Sequence, residues 1–165
     1  MTIHAMKKIL FICHGNICRS VMAEMVMKEL CRQAGAEERF VIASAAVSTE
    51  ETGNDIYPPA KRKLSEKGIP FTRHAARQIT REDYHRYDYI ICADRSNLRR
   101  LEYIIGPDTE NKVSLMKQWL NHKMANDQTA NDQMLNISDP WYTGDFEAAY
   151  RDIEASCKQI LARLL

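Results

Sequence analysis

"KKILFICHGNICRSVMAEMVMKEL", residues 7–30, is the stretch on which the fold turns. Two lysines lead into Ile9, Leu10, Phe11 and Ile12, a continuous apolar run of the kind a strand shows when both of its faces are buried. The run closes on Cys13. From Val21 onward apolar residues recur at Val21, Met22, Met25, Val26 and Leu30, a helical period, and Gly35 supplies a stop. Arg19-Ser20 therefore opens a helix. Only His14-Gly15-Asn16-Ile17-Cys18 joins the two elements.

The same two patterns continue along the chain. "RFVIASAAVS" and "YDYIICAD" read as further buried strands, and "KVSLM" as a short fourth. "PPAKRKLSEKGIP" has proline at its start and Gly68 at its end, the usual asymmetry of a helix. "RSNLRRLEYIIG" is a second helix. "GDFEAAYRDIEASCKQILARLL" closes the chain with apolar residues at Phe146, Ala149, Tyr150, Ile153, Cys157, Ile160, Leu161 and Leu164. Strands alternating with helices predict an α/β fold, a four-stranded parallel sheet with helices on both faces. Ligands of such sheets sit at the carboxyl ends of the strands, which is where Cys13 stands. The stretch "NHKMANDQTANDQMLN", residues 121–136, repeats ANDQ and reads as a polar helix or surface loop that need not pack.

Composition narrows the function. The 165 residues are expected to form a single domain, 1–165, that buries roughly 70% of the surface of its unfolded chain. A net charge of +1 gives no bulk field for nucleic acid or an anionic membrane, so neither is expected as a partner. The apolar run before His14 is too short for a secretory signal, and no window approaches a membrane span. Five cysteines, an odd number with no CxxC pair, suit free thiols in a reducing compartment, so a cytoplasmic location is expected.

The loop after the first strand carries the chemistry. Gly15 and Asn16 are the residue types that tolerate positive φ in a tight turn. Such a turn points backbone N–H groups inward, and the first turn of the following helix adds more, so an anion is the natural occupant. Arg19 adds a planar fork for two phosphoryl oxygens. The same field should lower the pKa of the Cys13 thiol and make it a nucleophile beneath a bound phosphate. Ser20 can hydrogen-bond the sulfur. Chance gives about 0.4 occurrences of Cys-x5-Arg in a chain of this composition, and about 0.02 once a following serine is required. Cys157-x5-Arg163 shows the difference, since it lies within the last helix, has no glycine and has no serine after the arginine.

"CHGNICRS" with a downstream "DP" resembles the low-molecular-weight protein tyrosine phosphatase family. "SAAVS", "RHAARQIT", "DYIICADRSNL" and "SDPWYTGDFEAAY" resemble family segments in the family order, from about residue 7 to the end. The resemblance implies a phosphate-binding loop after strand one. It also implies hydrolysis of phosphate monoesters through a phosphocysteine, phosphotyrosine-containing protein substrates, no cofactor and no metal. His4, His85 and His122 have no ligand-like company in the sequence.

The reaction also needs a proton for its leaving group. Asp139 precedes Pro140, which biases it toward an extended conformation, and Trp141 and Tyr142 can wall an aromatic pocket. Asp-Pro alone equally begins a turn. The family places its general acid at this Asp-Pro, and Cys13 with Arg19 makes that reading the stronger one. The resemblance further implies that Asn16 holds the loop geometry, fixed by Ser44 and His74, and that Cys18 either packs or pairs with Cys13 on oxidation. Asp94 matches an acidic family position and is read as structural.

Two departures stand out. Val21 replaces a customary proline, and Glu50 stands at the pocket mouth where many eukaryotic members carry an aromatic residue. A carboxylate there should disfavour acidic substrates. Arsenate reductases of this fold remain an alternative, although the chain has only Cys92 near its third strand. Protein arginine phosphatases are another, with threonine where this chain has Ile17, and an apolar side chain suits a ring better than a guanidinium. The physiological substrate and the oligomeric state are not legible in the sequence.

Overall fold

A computed structural model describes residues 5–120 and 132–165. Four strands, β1 (Lys7–Cys13), β2 (Phe40–Ala46), β3 (Tyr89–Cys92) and β4 (Val113–Leu115), form one parallel sheet in the order β2-β1-β3-β4. This is the predicted architecture. The central strand β1 pairs with β2 so that Cys13 lies opposite Ala46, and with β3 so that Ile12 lies opposite Cys92. All three strand ends therefore meet at one edge of the sheet.

The apolar run of β1 is continuous because both of its faces are covered. Ile9, Phe11 and Cys13 join one core cluster, while Leu10 and Ile12 join another. On the first face lie α1 (Arg19–Gln33), α2 (Pro58–Glu66) and the C-terminal helix (Phe146–Leu164), through Val21, Met22, Leu64, Tyr150 and Ile153. On the second lie α3 (Arg81–Arg86) and α4 (Arg95–Ile105), through Tyr84 and Leu101. Each fully buried Ile, Leu or Phe contributes about 2 kcal/mol, so the four apolar residues of β1 fix the strand that ends in Cys13.

Two further helices follow, α5 (Pro140–Thr143) and α6 (Phe146–Leu164). Neither α3 nor α5 was expected from periodicity. Thr80 and Asp83 form a reciprocal capping box that starts α3, and Asp139 with Pro140 starts α5. Val21, in the place of the customary proline, is wholly buried in the core. Cys157 of the Cys157-x5-Arg163 spacing is also buried, its sulfur 3.7 Å from the Ala23 carbonyl oxygen. Most of the polar stretch 121–136 lies outside the described residues, but its end packs. Leu135 enters the second core cluster, and the Asn136 side-chain oxygen accepts from the Arg95 backbone N–H at 2.9 Å.

Candidate active site

The loop between β1 and α1 is held from outside by its carbonyl groups. The Cys13 carbonyl accepts from Val47 N, His14 from Ser48 N, Asn16 from the His74 ring, Ile17 from Tyr57 N and Cys18 from Met22 N. The C=O and N–H of one trans peptide point in opposite directions. Turning these carbonyls outward therefore turns the N–H groups of the following residues into the loop. Asn16 N–H reaches the Cys13 sulfur at 3.3 Å. This is the backbone geometry that an anion cradle needs.

Asn16 is the hinge of this geometry, with φ of 61°. Gly15 does not have positive φ, contrary to expectation. Space is tight there, since a Cβ would stand 3.2 Å from Glu51 Cγ and that side chain would have to give by a few tenths of an ångström. The Asn16 side chain is fully buried and oriented by its contacts. Its oxygen accepts from Arg77 N at 3.3 Å, and its amide nitrogen donates to Ser20 Oγ at 2.8 Å and Ser44 Oγ at 2.9 Å. Ser44 in turn donates to the Glu24 carboxylate. Ser20 Oγ accepts from Asn16, which leaves its own proton for the Cys13 sulfur, 2.9 Å away. A hydroxyl presented this way stabilises sulfur as an anion.

His74 Nε2 donates to the Asn16 carbonyl oxygen at 2.7 Å, so Ser44 and His74 both meet Asn16. Asp55 accepts from the His74 backbone N–H at 3.0 Å, which places the ring. Neither Glu24 nor Asp55 was singled out in the sequence, because each acts on a residue distant along the chain.

Arg19 is 2% exposed, and its guanidinium is fixed at three points. Nη1 donates to Asp94 Oδ2 at 2.6 Å and to the Ile137 carbonyl oxygen at 2.8 Å, and Nη2 lies 3.3 Å from Asp139 Oδ2. Burial opposes its charge, but Cys13, Asp94 and Asp139 outweigh that cost and hold its pKa above the ordinary value. Asp94 is thus more than the structural residue expected. It caps α4 through Asn97 N–H and also aims the arginine. Burial pushes the Asp94 carboxyl upward, and the charge and hydrogen bonds of Arg19 reverse this and keep it below the usual carboxylate range.

These residues floor a pocket walled by His14, Ile17, Glu50, Glu51, Trp141 and Tyr142. Cys13 is 3% exposed at its base. Asp139 lies in the wall with the extended backbone expected before Pro140 and caps α5, its Oδ1 accepting from Trp141 N at 3.1 Å. Trp141 leans on Tyr57 with ring centroids 4.7 Å apart, while Tyr142 stands 82% exposed. At the mouth His14 Nε2 meets Glu50 Oε2 at 3.0 Å, a contact that offsets part of the carboxylate's charge when the imidazole is protonated. Glu51, a second carboxylate in the wall, was not anticipated. Burial pushes the Cys18 thiol far up, with Cys13 adding to the rise, and Cys18 packs against Ile17 and Ala76. Among the described residues no group of three or more His, Cys, Asp or Glu side chains is placed to hold a metal ion.

Residues 8–165 match the family described as low molecular weight phosphotyrosine protein phosphatase. The pig protein of that name is 38% identical over 163 residues, covering 96% of each chain. The crystal structure of YfkJ from Bacillus subtilis superposes with a TM-score of 0.86 at 31% identity, covering 98% of this chain and 96% of that one. A Drosophila arginine phosphatase gives 0.80 at 28% identity, covering 94% and 96%. With a matching family model over nearly the whole chain and relatives at this identity, the chain belongs to the low molecular weight phosphotyrosine protein phosphatase family.

Proposed function

We propose that the protein hydrolyses phosphotyrosine in protein substrates through a phosphocysteine intermediate. The observation that carries this reading is the Cys13 sulfur at the base of a loop whose carbonyls are held outward, with the Arg19 fork beside it and Asp139 in the wall. The phosphate sits in the loop with its equatorial oxygens on the N–H groups and Arg19. Cys13 Sγ attacks phosphorus opposite the ester oxygen, and the P–O bond breaks as Asp139 gives its proton to the departing phenolate. Asp139, now a carboxylate, takes a proton from water. The water oxygen attacks phosphorus, the P–S bond breaks and inorganic phosphate leaves. Ser20 stabilises the sulfur in both steps, as nucleophile and as leaving group.

Ile17, Trp141 and Tyr142 give the walls an apolar surface that fits a phenyl ring, and a pocket with its sulfur at the base favours a long aryl ester over phosphoserine. Five free thiols support a reducing, cytoplasmic setting. The test is turnover of phosphotyrosine, phosphoserine and phosphoarginine peptides by the parent and by Cys13→Ser. Phosphotyrosine is expected to be favoured over phosphoserine by at least about 100-fold in kcat/KM. Cys13→Ser should lose turnover yet still bind inorganic phosphate. Turnover by that variant near the parent rate removes Cys13 as nucleophile, and a faster reaction on phosphoarginine reassigns the substrate.

A further inference from the structure

Trp141 lines both the catalytic pocket and a neighbouring groove, which it shares with Tyr57, Pro59, Arg62, Lys63, Glu66 and Phe146. The Tyr57 ring meets Trp141 with centroids 4.7 Å apart and Phe146 with centroids 6.2 Å apart, both pairs tilted, so three rings adjoin along the groove. Charges along this edge of α2 are mostly neutralised. Lys61 is paired with Asp55 at 2.6 Å, Lys63 with Glu147 at 2.8 Å, and Lys67 with Glu147 at 2.9 Å. Arg62 is exposed and has no ion-pair partner among the described residues. Glu66 also lines the groove, but it shares Lys63 with Glu147, so Arg62 is the cation there without an ion-pair partner among the described residues.

Across the pocket the sign reverses, with Glu50 and Glu51 in the wall. A peptide anchored by its phosphotyrosine ring must leave the pocket over one of these rims. An extended chain advances about 3.3 Å per residue, so side chains two or three positions away lie over whichever surface the chain crosses. Acidic side chains are repelled on the glutamate side and attracted on the Arg62 side.

We propose that the Tyr57–Trp141–Phe146 groove is a second subsite for the phosphoprotein substrate, taking an apolar residue on the rings and an acidic residue against Arg62. The inference rests on the phosphotyrosine phosphatase reading above. Continuity through Trp141 argues for the substrate chain as occupant. The subsite makes the enzyme prefer a phosphotyrosine flanked on one side by an apolar and an acidic residue.

The test measures kcat/KM on phosphotyrosine peptides carrying leucine and then either glutamate or lysine, placed before or after the phosphotyrosine. The parent is expected to favour glutamate over lysine in one of the two placements, and the preference should shrink in high salt. Each exposed charge pairing is worth about a factor of two in affinity, and charge reversal changes the sign for both peptides. Arg62→Glu should therefore lower the glutamate-to-lysine ratio about 16-fold, and Arg62→Lys should keep most of it. A ratio unmoved by Arg62→Glu overturns the subsite. If a second copy of the chain covers the groove instead, Arg62→Glu alters the sedimentation behaviour and leaves the ratio unchanged, which also overturns it. Parent turnover of phenyl phosphate separates the two readings. Its loss removes the phosphatase reading and the subsite with it, whereas its presence with an unmoved ratio removes the subsite alone.

Discussion

Asn16 carries two burdens that substitution can separate. Its amide links Ser20, Ser44 and Arg77 N, and its backbone sits at φ 61°. Asn16→Gly loses the amide bonds and relaxes the backbone, while Asn16→Ala loses the bonds and keeps a Cβ in the left-handed region. Alanine should be the less stable variant by about 1 kcal/mol in denaturant unfolding. Equal stabilities would mean the loop has shifted out of that conformation. Asp139 can be tested through its leaving group. Tyrosine leaves with a pKa near 10, so an unassisted phenolate departs slowly. Asp139→Ala should slow phosphoenzyme formation by roughly 10²–10⁴-fold for phenyl phosphate, and far less for an aryl ester whose phenol is already acidic. Equal losses on both esters would show that Asp139 only shapes the wall.

At the scale of elements, what the sequence hid were short helices. A four-residue helix has no period to read, so α5 survives only in its punctuation, an aspartate cap, a proline at the first helical position and Gly144 after the last. The long elements were legible because burial marks them, as an unbroken apolar run in β1, covered on both faces, and as a helical period in α1 and α6. Gly144 has φ 72°, and a Cβ there would meet nothing within 4 Å. Gly144→Ala is therefore free of clash and pays only backbone strain, about 1 kcal/mol. Its N–H closes the turn onto the Pro140 carbonyl at 2.9 Å, and that turn starts at Asp139. The substitution should lower phosphoenzyme formation more for poor leaving groups than for good ones, following Asp139→Ala in pattern and falling short of it in size. A uniform loss across leaving groups would separate the turn from the acid.

At the scale of the whole molecule, the sheet could be read from the alternation of elements, but not the contacts that close the site. Asp94 reaches Arg19 across 75 positions and His74 reaches Asn16 across 58, and no local pattern encodes either pairing. Cys13 and Arg19 were legible because the loop is local, whereas the residues that aim Arg19 are brought in by the ends of β3 and α5. Asp94 gives this closure a signature in pH. Its carboxyl is held below the usual range in the folded protein and returns to about 3.9 when unfolded. A group depressed in this way adds stability above its unfolded pKa, and the contribution is lost as pH falls through the folded value. Asp94→Asn keeps a side-chain oxygen to cap α4 and removes the charge facing Arg19. It should therefore cost roughly 2 kcal/mol at pH 7, the scale of a hydrogen bond to a charged group. The gap between parent and variant should begin to narrow as pH drops below about 4, where the unfolded chain takes up the proton, and go on narrowing toward the lower folded value, where the parent loses the charge itself. Denaturant midpoints of both proteins from pH 7 to pH 3 measure this. An equal gap at both ends would place the contribution of Asp94 in its capping hydrogen bonds, with the arginine indifferent to its charge.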